Sequence, residues 1–305
     1  PPHPLSSAAS DVYKRQHFYR LWLDETMMYS SAYFATPETP LQDASTEKLD
    51  RICRKLDLGP DDRVVEIGTG WGGFAIHAAR HYGCHITTTT ISRQQYQWAQ
   101  QAIRSAGLED RITLLFEDYR DLDGQFDKLV SIEMIEAVGV RYFPTYFRRC
   151  SELLRDDGAM VLQAIVVDDR HFAHDARHED FIKRWIFPGG VLPSVGVIAE
   201  RVARDTDLQQ AHLEDLTSHY AETLRRWQFN LREAWPRLLA SGRSEFFLRG
   251  WEFYFHYCRA GFLERRVGVV QSLLVKPGCR ELTALQPAAA PWGRREPRRK
   301  AGTGA

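Results

Sequence analysis

From Arg63 onward, short apolar runs alternate with segments of helical spacing. "RVVEIG" is an apolar run that closes on glycine and predicts a strand buried on both faces. "WGGFAIHAARHY" sets Phe74, Ile76, Ala78 and Ala79 at helical intervals. The β-branched "CHITTTTI" predicts a second strand, and "SRQQYQWAQQAIRSAG" a helix that opens on Ser92 as N-cap and closes on Gly107. "RITLLF", "FDKLVSIEM" and "GAMVLQAIVV" supply three more strands, with a helix from about Arg141 to Leu154 before the last of them. "VGVVQSLLV" is a closing strand that stops before Lys276 and Pro277. This strand–helix rhythm predicts an α/β fold, a doubly wound and mostly parallel sheet with helices on both faces.

After Asp168 the rhythm breaks. "FIKRWIFPGGVLPSV" carries loop signals in Pro-Gly-Gly and Leu-Pro, and two amphipathic helices follow near 217–240 and 244–265. They are rich in aromatics, so the stretch of about 168–265 is expected to form a helical cap on the α/β core. His171, His174 and His178 stand at spacings that imitate a metal-binding face, but their loop is rich in Asp and Arg, so no metal site is expected. Residues 1–16 and 278–305 lack apolar periodicity and are expected to be a leader and a tail without fixed structure. The folded unit is therefore expected to span 17–277.

Composition narrows the function classes. The chain has 305 residues, with 40 Lys and Arg against 40 Asp and Glu, 44% hydrophobic and 26% charged, which is ordinary for a globular protein. An even balance argues against a nucleic-acid binder. The balance is uneven in space: Arg280, Arg294, Arg295, Arg298, Arg299 and Lys300 face only Glu281 and Glu296 in the tail, so the body is mildly acidic. No run of apolar residues is long enough to span a bilayer. Five cysteines in scattered positions form no CxxC pair, which fits a reduced, cytoplasmic protein without a disulfide framework.

"VVEIGTGWGG" (64–73) is a strand, a glycine-rich turn and a helix start. Glycines at such a turn let backbone approach a ligand closely. A phosphate-binding loop is one reading. No Lys-Ser/Thr follows, however, and Glu66 just ahead of Gly68 would repel a pyrophosphate while suiting an ammonium group. The turn is also similar to that of class I S-adenosylmethionine-dependent methyltransferases.

Further segments in one order, "MMYSSAYF" (27–34), "TISRQQ" (90–95), "EDYRDL" (117–122), "SIEMIEAVG" (131–139), "IFPGGVLPS" (186–194) and "HYAETLRRW" (219–227), resemble the cyclopropane-fatty-acyl-phospholipid synthase and mycolic acid cyclopropane synthase family. The resemblance runs from about His17 to Pro277. It implies a Rossmann-like, seven-stranded class I methyltransferase sheet. It also implies S-adenosylmethionine as cofactor, with Tyr29 and Ser30 over its amino-acid part, Gly68 and Gly70 beneath it and Glu66 at its ammonium. Thr90 and Gln95 would then bond the ribose, and Asp118 and Tyr119 the adenine. Without the resemblance, Asp118 and Tyr119 also suit an ordinary turn, and Thr90 a plain strand end.

The activity implied is methyl or methylene transfer to the double bond of an unsaturated acyl chain, by an enzyme in peripheral contact with the inner face of a membrane. In this family a bound bicarbonate, gripped by Cys, Glu, His and Tyr, accepts the proton. The matching positions here are Ser31, Glu136, Gln163 and Tyr220, and Glu133 stands where the family often has glycine. If "IEMIEAVG" starts a helix, Glu133 and Glu136 share a face. Three readings follow from these departures: a cyclopropane product, a methyl-branched or methylene product from a rearranged site, or a non-catalytic lipid- or cofactor-binding subunit. A methyltransferase of another small molecule is a further rival.

Overall fold

The computed structural model describes residues 18–280. The leader lies outside the described residues, as does the tail beyond Arg280. The helix α1 (Leu41–Lys55) is followed by β1 (Arg63–Ile67), α2 (Gly73–Tyr82), β2 (His85–Thr89), α3 (Arg93–Ser105), β3 (Ile112–Leu115), β4 (Phe126–Ile132), α4 (Phe143–Glu152) and β5 (Leu154–Val167). Then come α5 (Asp169–Asp175), α6 (Phe181–Trp185), α7 (Val195–Asp205), β6 (Gln209–Asp215), α8 (Thr217–Ala240), α9 (Glu245–Leu263) and β7 (Val267–Val275). The seven strands form one sheet in the order β3-β2-β1-β4-β5-β7-β6. Neighbours from β3 to β5 pair in parallel, and β7 runs antiparallel to both β5 and β6.

The central strands read as continuous apolar runs because both sheet faces are covered. Successive residues go to opposite faces. Val65 and Ile67 of β1 join Met160 and Leu162 of β5 under α4 and α7, where Phe143, Phe147, Ile198 and Val202 close the layer. Val64, Val130 and Val161 point the other way, against Leu49 and Ile52 of α1 and Phe74 and Ala78 of α2. Ser92 caps α3 by accepting from the Gln95 N–H, as its sequence position suggests.

One strand differs from expectation. The stretch 168–265 is not wholly a helical cap: β6 lies inside it and forms the sheet edge, and α7 packs on α4 at the sheet face. "QQAHLED" is half-exposed along its length, so it lacks the apolar alternation by which a strand is recognised. The cap proper is α8 and α9. They enclose the chain's first described segment: Trp22 packs edge-on to Trp227 and Phe255, at 5.5 and 5.2 Å between ring centroids, and Phe18 meets Phe247 at 5.1 Å. The aromatics divide by position, with Trp227 and Phe255 in the core and Phe229, Phe246 and Phe253 more than half exposed.

The same segment then runs across the glycine turn. A Cβ on Gly73 would stand 2.5 Å from the Thr26 carbonyl oxygen and 2.7 Å from the Met28 sulfur. Gly73→Ala should therefore push residues 26–28 off the turn and cost about 1–3 kcal/mol, as overpacking does. Urea denaturation checks this; an unchanged midpoint would contradict the packing described.

Candidate functional site

Open α/β sheets bind ligands outside the carboxyl ends of their strands, where the strand order reverses. Here that point lies between β1 and β4. β1 delivers Glu66 and the turn beginning at Gly68, while β4 delivers Glu133 and Glu136. Gly68 has φ +101° and Gly70 φ +53°, in the region glycine alone enters freely. A Cβ on Gly68 would press on the Met134 side chain at 3.1 Å, and one on Gly70 would touch the Tyr29 ring at 3.4 Å. The turn thus has a floor and a lid of side chains with bare backbone between them.

Tyr29, Thr90 and Gln95 come together. Thr90 donates to Gln95 Oε1 at 2.9 Å, and Gln95 Nε2 donates to the Tyr29 oxygen at 3.1 Å. Glu66 is buried and accepts from the Thr88 hydroxyl at 2.6 Å. Burial raises its carboxyl to about 8, against the pull of that bond and of Lys48. Ser30 is buried and accepts from Lys48 Nζ at 2.8 Å. Asp118 and Tyr119 sit in the turn after β3. The Asp118 carboxylate is held by Arg120 through both Nε and Nη2 at 2.8 Å, which lowers its pKa. Tyr119 packs edge-on against Tyr146 at 5.6 Å.

The second group converges on one carboxylate. Glu133 Oε1 accepts from the Ser31 N–H at 2.9 Å and from Gln163 Nε2 at 2.7 Å, and Oε2 accepts from the Tyr220 hydroxyl at 2.9 Å. Ser31 contributes its backbone amide; its hydroxyl turns away to the Ala32 carbonyl at 3.1 Å. Gln163 cannot present its oxygen to Glu133. That oxygen accepts from Gln271 Nε2 at 2.8 Å, and the Gln271 oxygen in turn accepts from Lys55 Nζ. An ammonium only donates, so Lys55 fixes the sense of both amides. The row is set by sheet register, since Gln163 pairs with Gln271 and Gln271 with Glu214, which Lys55 also bonds at 2.6 Å.

Glu133 and Glu136 do not share a helix face. Glu133 has φ +48°, and a short 3-10 turn spans Ile135–Ala137. A left-handed non-glycine residue costs about 1–3 kcal/mol and persists where its surroundings hold it. Glu136 accepts from the Ile165 N–H at 2.6 Å through Oε1, while its buried Oε2 has no partner. Burial and then the nearby Glu133 charge raise Glu136 to about 8. Burial also raises Glu133, but Ser31, Gln163, Lys48 and Tyr220 all pull it back. The negative charge therefore rests on Glu133 and the proton on Glu136.

Lys48 escapes notice in the sequence. It is fully buried on α1, and burial lowers its pKa to about 8 against the attraction of Glu133, Asp24 and Glu66. The available signal was a lysine seven residues after Leu41, on the apolar stripe with Leu41, Ala44 and Leu49. Among the described residues, no cluster of His, Cys, Asp and Glu could hold a metal ion, and none includes His171, His174 or His178.

The strand order with its antiparallel seventh strand, and the glycine turn at the switch point, define a class I methyltransferase fold. The profile of the mycolic acid cyclopropane synthetase family matches residues 6–272, beginning inside the expected leader, and the chain belongs to that family. It is 39% identical over 267 residues to tuberculostearic acid methyltransferase UfaA1 of Mycobacterium tuberculosis, covering 85% of this chain. It is 36% identical over 249 residues to the cyclopropane-fatty-acyl-phospholipid synthase of Escherichia coli strain K12, covering 82% of this chain. The chain spans 62% of the length of each of these relatives. The structure of mycolic acid cyclopropane synthase CmaA1 complexed with SAH and CTAB superposes with a TM-score of 0.81 at 27% identity, covering 90% of this chain and 99% of that one.

The raised carboxyls carry a consequence for stability. Glu136 titrates at about 8 in the fold against an ordinary 4.5, so its contribution to stability is complete below about pH 4.5 and is lost as pH rises through 8. Glu66 follows the same course, while Lys48, lowered to about 8 from 10.5, loses its contribution as pH falls through 8. Glu136→Gln removes only the first of these. Its melting temperature should fall less between pH 5 and pH 8 than that of the unaltered protein; equal falls would contradict the burial of this carboxyl.

Proposed function

We propose that the protein transfers a methyl group from S-adenosylmethionine to a double-bond carbon of an unsaturated fatty acyl chain in a lipid. The observation that carries this reading is a group of carboxylates, Glu66, Glu133 and Glu136, at the switch point beneath an aromatic cap, with Lys48 as the buried cation among them. Buried carboxyls whose pKa values are raised can release their protons to meet a cofactor that bears a sulfonium and an ammonium. Gly68 and Gly70 give it bare backbone, Tyr29 and Ser30 close over it, and Glu66 meets its ammonium. Thr90 and Gln95 offer polar groups to the ribose, with Asp118 and Tyr119 at the adenine. Asp118 is bound on both oxygens by Arg120, but a carboxylate has about four lone-pair sites and keeps room for another donor.

When bound, S-adenosylmethionine supplies an electrophilic methyl. An alkene is a weak nucleophile, and the carbocation it becomes would be quenched by water. The chain must therefore hold the alkene in line and keep the site dry. The cap does the second: Tyr220 lies 4.5 Å from Phe262, stacked, with Trp227 edge-on at 6.1 Å. Aromatic faces stabilise a cation without reacting with it.

The names of the two relatives, one a tuberculostearic acid methyltransferase and one a cyclopropane-fatty-acyl-phospholipid synthase, support an acyl substrate and leave two kinds of product, a cyclopropane and a methyl-branched or methylene-bearing chain that keeps one C=C bond. Among the described residues no helix is long and apolar enough to cross a membrane. The exposed rings of Phe246, Phe253 and Tyr257 on the cap support peripheral contact with a membrane surface.

Protein incubated with methyl-labelled S-adenosylmethionine and vesicles of mono-unsaturated phospholipid should place label in the lipid, and saturated vesicles should take none. Label in neither, or only in a water-soluble acceptor, would contradict the reading. Proton NMR of the product separates ring protons, far upfield, from a branched methyl. Gly68→Val, which drives a branched side chain into Met134, should weaken cofactor affinity by about tenfold or more, or about 1.4 kcal/mol; calorimetric titration with S-adenosylhomocysteine measures it.

A further inference from the structure

We propose that Glu133 is the proton acceptor of this reaction, a carboxylate built into the chain where a bicarbonate ion is expected. The inference rests on the acyl-methylation reading above and names the base within it. Three of the four residues expected to grip bicarbonate are already engaged, Glu136 being the fourth: the Ser31 amide, Gln163 Nε2 and the Tyr220 hydroxyl all donate to Glu133, at 2.9, 2.7 and 2.9 Å. A bicarbonate in that position would have to displace this carboxylate or lie against it. Lying against it would add a second negative charge beside Glu133, and the buried Lys48 is already bonded to Ser30. The residues present do not fit the ion; they fit a carboxylate of their own.

Two independent features point the same way. Glu133 adopts φ +48°, a conformation suited to glycine, and the chain holds a glutamate in it. A carboxylate kept in a strained backbone position by three converging donors is pre-organised by the fold. The second feature is position 163. An imidazole there could become charged to balance an extra anion, whereas the Gln163 amide cannot titrate. Its N–H is aimed at Glu133 by the row of Gln271 and Lys55. Lys55 and Gln271 are thus positioning residues for the base.

The step balances without another reactant. The alkene's π pair forms the bond to the incoming methyl, leaving a cation on the neighbouring carbon. A C–H bond next to that cation gives its pair to a new C–C or C=C bond, and its proton passes to a Glu133 oxygen. Three donors occupy three of about four lone-pair sites of the carboxylate, so one remains to accept it. Glu133 returns the proton to water as product leaves.

The test uses the full chain, methyl-labelled S-adenosylmethionine and mono-unsaturated phospholipid vesicles, in buffer stripped of carbon dioxide and in the same buffer with bicarbonate added. The unaltered protein should label lipid at the same rate in both. Glu133→Gly, which suits the backbone and empties the space, should lose about 10²- to 10⁴-fold in stripped buffer, the range for a positioned base, and recover in part with bicarbonate. Glu133→Gln, which keeps the shape without the base, should lose as much and not recover. Carbon-13 NMR of labelled bicarbonate gives a readout apart from turnover: the signal should broaden with Glu133→Gly and stay sharp with the unaltered protein. A rate that collapses in stripped buffer and returns with bicarbonate in the unaltered protein would overturn the assignment while leaving acyl methylation standing. Full activity of Glu133→Gly without bicarbonate would do the same. No label in lipid under any condition would overturn both.

Discussion

Four distant parts of the chain meet on the carboxylate of Glu133. Ser31 arrives from the segment that crosses the glycine turn, Gln163 from β5, Tyr220 from the first turn of α8, and Glu133 itself from the end of β4. Each donor lies in a region where an unmet polar group costs about 1–3 kcal/mol. Together they outweigh the left-handed backbone at Glu133. The cap is therefore not merely packed on the sheet. Its helix α8 is tied to the carboxyl end of β4 through a bond that also belongs to the site.

The surrounding electrostatics follow from that arrangement. Glu133 takes the charge because donors surround it. Glu136, with one amide and a partnerless oxygen, takes the proton. Lys48 sits among Glu66, Asp24 and Glu133 and is attracted by all three, while burial holds Glu66 toward its neutral form. A positively charged methyl donor entering such a site would favour the charged form of these carboxyls. Buried beneath the aromatic rings of the cap, the same charges act at greater strength than they would in water.

How much of this the sequence disclosed depended on how local each signal was. The six strands from Arg63 to Val167 and at Val267 were legible because buried strands are unbroken apolar runs, α3 because Ser92 and Gly107 marked its ends, and α8 and α9 because of their helical spacing. β6 was not: an edge strand with half-exposed polar residues carries no such pattern. Within the site, the motifs singled out Tyr29, Thr90 and Gln95, which the structure joins in one hydrogen-bonded network. Glu133 was visible as an unusual acid, yet its role was not. A helix there would have set it on one face with Glu136, whereas its true conformation is fixed by bonds to residues 102, 30 and 87 positions away. Lys48 and Gln271 were likewise hidden, because burial and cross-strand register are tertiary facts.

The central claim is that a carboxylate of the chain occupies the place of an anion. A high-resolution crystal structure of the protein with S-adenosylhomocysteine, grown in bicarbonate, tests it most directly. The account expects continuous density from the Glu133 backbone to a carboxylate bonded by the Ser31 amide, Gln163 and Tyr220. A separate planar ion on those three donors, with the Glu133 side chain turned aside, would contradict it.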